Sequence, residues 1–198
     1  MIYQNLNYSV SPKVNDLREG IVIGNRIPQD YFVTKGIGQS DIAIHAGSYH
    51  LALRSAGIEM CNIMTYSSIL PGIAKKIERP EHLTHGSVME CILSVSTAKK
   101  GNIATAGVIY GWLYNKKSHE RYGGLVCEHQ GNYPVSEIKG LLRASLDELY
   151  FNGFSDEYEL SDIELMTESF KTEKKFGTAL VGLCFVNYLV PVIHRNLN

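Results

Sequence analysis

Two adjacent serines, Ser67 and Ser68, carry the strongest chemical signal in the chain. They form its only Ser-Ser pair and end an apolar, strand-like run from Met60 to Tyr66, just ahead of Pro71 and Gly72. Proline and glycine interrupt regular structure, so the pair is expected in a strained turn. A serine hydroxyl held there beside a peptide carbonyl can attack that carbonyl and cut its own chain. By this route a protein can make an electrophilic carbonyl group from its own backbone. Other chemistries find less support. Cys61, Cys91, Cys127 and Cys184 are far apart without a CxxC spacing and read as small buried hydrophobes. His82 and His85 are three apart, but no second pair or carboxylate completes a metal site, so no metal is expected. The Gly-x-Ser-x-Gly elbow of a serine hydrolase is absent.

The elements that must position the pair read mostly as strands. Gly20–Asn25 and Tyr31–Lys35 are short β-rich runs divided by Pro28, and Gly36–Asp41 reads as a loop. Ser48–Ala56 predicts a helix, with Tyr49, Ala52, Leu53 and Ala56 on one face and Gly57 as its C-cap. The chain from Gly57 to Ser67 returns as a strand. Ile73–Leu83 is a charged connection. Gly86–Thr97, Ile103–Tyr114 and Tyr122–Gln130, divided by turn residues, suggest an antiparallel meander. Pro134–Asn152 is the strongest helix, with Ser136 as N-cap and an apolar stripe of Ile138, Leu141, Leu142, Leu146 and Leu149. Glu159–Phe170 and Phe176–Val190 close the chain as strands. The class is α+β: antiparallel sheets flanked by helices, in a single domain.

Composition bounds the function. The 198 residues suffice for one buried core. A net charge of -1 gives no basic footprint for nucleic acid and no polybasic membrane signal. Met1–Asp16 lacks the apolar core of a signal peptide, and Thr178–Ile193, the longest apolar run, carries Asn187 and Pro191 and reads as a buried strand. A cytoplasmic protein without nucleic-acid or membrane partners is expected.

Six blocks, taken together, resemble the pyruvoyl-dependent arginine decarboxylase family. They are Phe32–Asp41 (FVTKGIGQSD), Ala56–Ile63 (AGIEMCNI), Tyr66–Pro71 (YSSILP), His85–Glu90 (HGSVME), Gly124–Glu128 (GLVCE) and Lys174–Gly177 (KKFG). Their order and spacing are more specific than any one of them, and the resemblance runs from about Tyr31 to Tyr188. It implies an αββα sandwich over residues 26–198, with residues 1–25 as a poorly defined N-terminal arm. It implies autocatalytic serinolysis between Ser67 and Ser68, in which a zymogen becomes a β chain (1–67) and an α chain (68–198). The α chain would begin with pyruvate held covalently as a pyruvoyl group made from Ser68, and arginine would be decarboxylated to agmatine in polyamine metabolism. By the same resemblance Asn62 is the donor that stabilises the oxyanion of the acyl shift, and Glu128 is the proton donor of turnover. An apolar strand around Glu128 would raise its pKa toward that role. Tyr49, His50 and Leu53 fall on the substrate-binding helix. A homo-trimer or hexamer of αβ protomers is implied, with the helix and the Asn62–Ser68 strand from one protomer and Glu128 from a neighbour.

One position departs from the family. Where its members carry an aspartate for the substrate guanidinium, this chain has His50, with Arg54 one turn on. A guanidinium prefers a bidentate carboxylate, and an imidazole offers one acceptor at best. Three readings follow: arginine held by another acid (Asp41, Asp30 or Glu59), a different amino-acid substrate, or a non-catalytic family member.

Overall fold

The computed structural model describes residues 22–193. The expected arm over residues 1–25 therefore lies, up to residue 21, outside the described residues. Two compact units divide the chain, the larger spanning Ile27–Tyr188. In the smaller, β1 (Val22–Ile23) pairs antiparallel with the final strand Val192–Ile193, and the Gly24 N–H donates to the Pro191 carbonyl at 2.7 Å.

The elements run in order β2 (Ile27–Pro28), β3 (Asp30–Ser40), a π-helical turn (Ile44–Tyr49), α1 (His50–Ala56), β4 (Asn62–Thr65), β5 (Ile69–Pro71) and β6 (Lys75–Lys76). There follow β7 (Val88–Lys99), β8 (Ile103–Asn115), β9 (Arg121–Gly131), α2 (Val135–Gly153), β10 (Tyr158–Lys171), β11 (Phe176–Phe185), β12 (Tyr188–Leu189) and β13, the strand paired with β1. One sheet has the order β4-β7-β11-β3-β6 and another the order β10-β8-β9-β5. Most pairings are antiparallel; β4 with β7 and β3 with β6 are parallel.

Strand alternation sorts the core. On β7 and β11, Ile92, Ala179, Val181, Leu183 and Phe185 join Val108, Tyr110 and Val126 of the four-stranded sheet in one buried cluster. Their neighbours Met89, Cys91, Leu180 and Cys184 point the other way, onto Ala52, Leu53 and Ala56 of α1. On the four-stranded sheet, Ile109, Leu113, Leu125 and Cys127 pack against Ile138, Leu142 and Leu146 of α2, all three of which are fully buried. Burying such a side chain contributes about 1.5–3 kcal/mol, so this stripe holds α2 in place.

Several expectations need correction. Gly36–Asp41 is no loop: β3 continues to Ser40. A Cβ on Gly36 would collide with the Ala52 carbonyl of α1, and one on Gly38 with the Ser48 carbonyl. The glycines are there so that a helix can lie close on the strand. The three middle strands are not one meander, because β7 lies in the five-stranded sheet and β8 and β9 in the other. The Lys99–Asn102 turn reverses the chain but carries it from one sheet to the next. The N-cap of α2 is Pro134, whose carbonyl accepts the N–H groups of Glu137 and Ile138 at 3.1 and 3.3 Å; Ser136 lies inside the first turn. Gly57 does end α1, in the left-handed conformation at φ 73°.

Candidate active site

The serine pair occupies the irregular stretch between β4 and β5. These two short strands belong to different sheets, β4 at one edge of the five-stranded sheet and β5 at one edge of the four-stranded sheet. Ser67–Ser68 is thus the point at which the chain passes between them. Regular structure breaks before β5 and not at Pro71, which remains in the strand and pairs with Gly123. Ser67 is exposed and Ser68 half-buried. Positive-φ non-glycine residues among those described are His119 and Asp162, so neither serine of the turn is in the left-handed region.

Both carbonyls around Ser68 have backbone donors. The Val126 N–H donates to the Ser68 carbonyl at 2.9 Å, and the Ile69 N–H donates to the Ser67 carbonyl at 3.1 Å. β5 is then fixed by pairing Ile69, Leu70 and Pro71 with Leu125, Gly124 and Gly123. Beyond it, Arg121 donates from Nε to the Gly72 carbonyl at 2.9 Å and from an Nη to the Ala74 carbonyl at 3.0 Å, while its guanidinium lies 4.2 Å over the Trp112 ring. Sequence reasoning missed this clamp, since no local pattern links Arg121 to residues about fifty positions earlier.

Glu128 stands two residues beyond Val126 on β9, about 7 Å along the strand and on the same face. That face is the one Val126 turns toward the five-stranded sheet. One carboxylate oxygen of Glu128 is buried and makes no hydrogen bond. Burial pushes its carboxyl pKa up, against smaller downward effects from its own backbone N–H and the neighbouring His129. The far end of β9 is tied to β7, where the Ser94 hydroxyl donates to the His129 carbonyl at 2.7 Å and the Ser96 hydroxyl to the Gly131 carbonyl at 2.9 Å. These serines, too, were not singled out by sequence. Glu90, which lies across from Met64 on β7, is also buried, at 1% exposure.

The remaining candidates lie elsewhere in the chain. Asn62 is exposed and donates from its amide to the Gly86 carbonyl at 3.0 Å. Four residues of extended chain, about 13 Å, separate it from Tyr66. Tyr49, His50 and Leu53 line a concavity of about 570 Å³ with His45, Glu59 and Cys61. Tyr49 also lines an adjoining concavity of about 330 Å³ that reaches Thr65, two residues before the pair. Helix α1 and its concavity lie on the face of the five-stranded sheet opposite the inter-sheet cluster, and neither Ser68 nor Glu128 lines either concavity. Of the three acids considered as guanidinium partners, Glu59 alone shares the concavity with His50. Asp41 accepts the Lys175 N–H at 3.0 Å, and Asp30 accepts the Asn187 amide at 2.7 Å.

Fold and site define an α+β protein in which a serine pair crosses between two sheets beside a carboxyl group disfavoured from ionising by burial. A family profile described as pyruvoyl-dependent arginine decarboxylase matches residues 30–190. The chain is 32% identical over 133 residues to a probable pyruvoyl-dependent arginine decarboxylase of Chloroherpeton thalassium, covering 61% of this chain and 70% of the relative. It is 30% identical over 189 residues to a pyruvoyl-dependent arginine decarboxylase of Chlamydia trachomatis serovar L2, covering 83% and 94%. A Thermoplasma volcanium pyruvoyl-dependent arginine decarboxylase is 27% identical over 157 residues, covering 71% and 83%. The chain belongs to the pyruvoyl-dependent arginine decarboxylase family of carboxy-lyases. Membership implies a covalently bound pyruvoyl group. The site fits one: Ser68 is partly accessible, its carbonyl is pinned to β9, and an acid without a hydrogen bond on one oxygen stands two residues along.

Proposed function

We propose that the chain cuts itself between Ser67 and Ser68 and then decarboxylates arginine to agmatine and carbon dioxide. One observation carries the reading. The Val126 N–H on the Ser68 carbonyl holds that residue two positions from Glu128, whose buried carboxyl oxygen has no partner.

In the cut, the Ser68 hydroxyl oxygen bonds to the Ser67 carbonyl carbon, the peptide C–N bond breaks, and the proton passes to the Ser68 nitrogen. Elimination then removes the Ser68 Cα proton and releases the Ser67 carboxylate. Water replaces the nitrogen, which leaves as ammonia. The fragments are 1–67 and 68–198. When present, the pyruvoyl group supplies carbonyls that accept the electrons released with carbon dioxide. The chain's own part is to hold the proton. Burial favours the neutral form of Glu128, which delivers its proton to the substrate carbon that has lost carbon dioxide.

Arginine is supported by the family and by Glu59, an acid in the concavity of Tyr49, His50 and Leu53. The resemblance assigns Asn62 to the acyl shift. Within one chain the α1 concavity is not lined by Ser68 and the Asn62 amide is engaged with the Gly86 carbonyl, so a site using all of them draws on a second copy, as a trimer or hexamer would supply. Ser68 and Glu128 then come from one protomer, which differs from the division that the resemblance implies. The layer order helix–sheet–sheet–helix over residues 26–198 is supported by α1 and α2 packing on opposite outer faces of the two sheets. Residues 1–25 are read as an arm. A cytoplasmic setting accords with the absence, among the described residues, of a helix long and apolar enough to cross a membrane.

The test compares the native chain with Ser68→Ala by intact mass and carbon dioxide release, offering each amino acid in turn. The native chain is expected to give fragments of about 7 and 15 kDa, in proportion to length in a 22.1-kDa chain. Carbon dioxide should come from arginine, and Ser68→Ala should lose both. An uncut native chain overturns self-processing, and release from another amino acid alone overturns the substrate.

A further inference from the structure

The carbonyl that self-cleavage attacks already carries a hydrogen bond. The Ile69 N–H reaches back two residues to the Ser67 oxygen at 3.1 Å, closing a three-residue turn centred on Ser68. Ser68 is not among the positive-φ residues, so this is the common inverse γ-turn. We infer that the Ile69 backbone N–H is the oxyanion donor of the acyl shift, an inference that rests on the self-processing proposed above.

The geometry and the chemistry agree. As the Ser68 oxygen adds to the Ser67 carbonyl carbon, negative charge collects on the oxygen that Ile69 already faces. A neutral hydrogen bond there becomes charge-assisted, shorter and about twice as strong. The donor is fixed beforehand and needs no rearrangement at the moment of reaction. On one side Val126 holds the Ser68 carbonyl at 2.9 Å, and on the other Ile69 and Leu70 pair with Leu125 and Gly124. Asn62 of the same chain is a poor rival, about 13 Å of extended backbone from Tyr66 and with its amide committed to the Gly86 carbonyl. After the cut the donor would belong to the 68–198 fragment and the carbonyl carbon to 1–67. The side chain has no part in this, since Ile69 is 54% exposed.

The full chain, made by cell-free translation with the α-hydroxy analogue of isoleucine at position 69, loses this N–H and keeps the side chain. Fragment formation is followed by denaturing gel and intact mass. Removing one oxyanion donor is expected to slow cleavage about 100- to 1,000-fold. Ile69→Ala should cleave within about threefold of the native rate. The same hydroxy-acid replacement at Leu70 controls for loosening of β5 and should also cleave at close to the native rate. Equal slowing at 69 and 70 overturns the inference, as does an unchanged rate at 69, both while the native chain is still cut. A native chain that never cleaves overturns the self-processing reading and the inference together.

Discussion

The role proposed for Glu128 rests on its surroundings more than on its sequence neighbours. Burial raises its carboxyl pKa, so the folded chain holds the proton to a higher pH than the unfolded chain does. A folded value raised above the unfolded one gives stability that is fully present below the unfolded pKa and is lost as pH rises through the folded one. Glu128→Gln keeps the shape and removes the charge. It is therefore expected to melt higher than the native chain at pH 8, with the gap closing at pH 4, and scanning calorimetry at both values reads the sign. With Glu128 as the proposed proton donor, carbon dioxide release from this variant should fall about 100- to 10,000-fold while both fragments still form. Loss of cleavage in this variant would move Glu128 from turnover to processing. The residue types at this scale were legible in sequence, the serine pair and the acid among them. The donors were not, because the N–H groups of Ile69 and Val126 belong to backbone, and any residue except proline supplies one.

The elements were legible where their signal is periodic. Of the α2 stripe, Ile138, Leu142 and Leu146 are fully buried while Leu141 and Leu149 are half-buried, and Gly57 ends α1. They were misread where a residue answers to a partner distant in sequence. Gly36 and Gly38 look like loop residues, yet they lie within a strand because α1 crosses there. Gly38→Ala forces a methyl against the Ser48 backbone carbonyl, and overpacking of this kind costs about 1–3 kcal/mol. Gly140→Ala is the counterpart: the new methyl meets nothing within 4 Å on α2 and should stabilise by up to about 1 kcal/mol. Urea unfolding of the two variants checks both signs. If Gly38→Ala is neutral, α1 does not lie on β3 as described.

Across the whole molecule, the proposed cut would fall where its two fragments are interleaved. Residues 1–67 supply β3 and β4, while residues 68–198 supply β7, β11 and β6 of the same five-stranded sheet. β3 runs antiparallel to β11 from Tyr31 to Ser40. Cleaved protein is therefore expected to elute as one particle in native size exclusion and to separate only on a denaturing gel; the proposed trimer or hexamer would give that particle a native mass of three or six 22.1-kDa chains. Elution of a free 1–67 fragment would contradict the sheet order. By itself the sequence determined which groups can react and where the amphipathic helices lie, because both are local properties of residue type and spacing. Only the tertiary structure decided that the serine pair is a passage between two sheets, that a backbone N–H faces each neighbouring carbonyl, and that α1 lies on the far side of a sheet from Glu128. Those facts depend on which strands pair and which merely stack, and that choice is made by contacts between residues many positions apart.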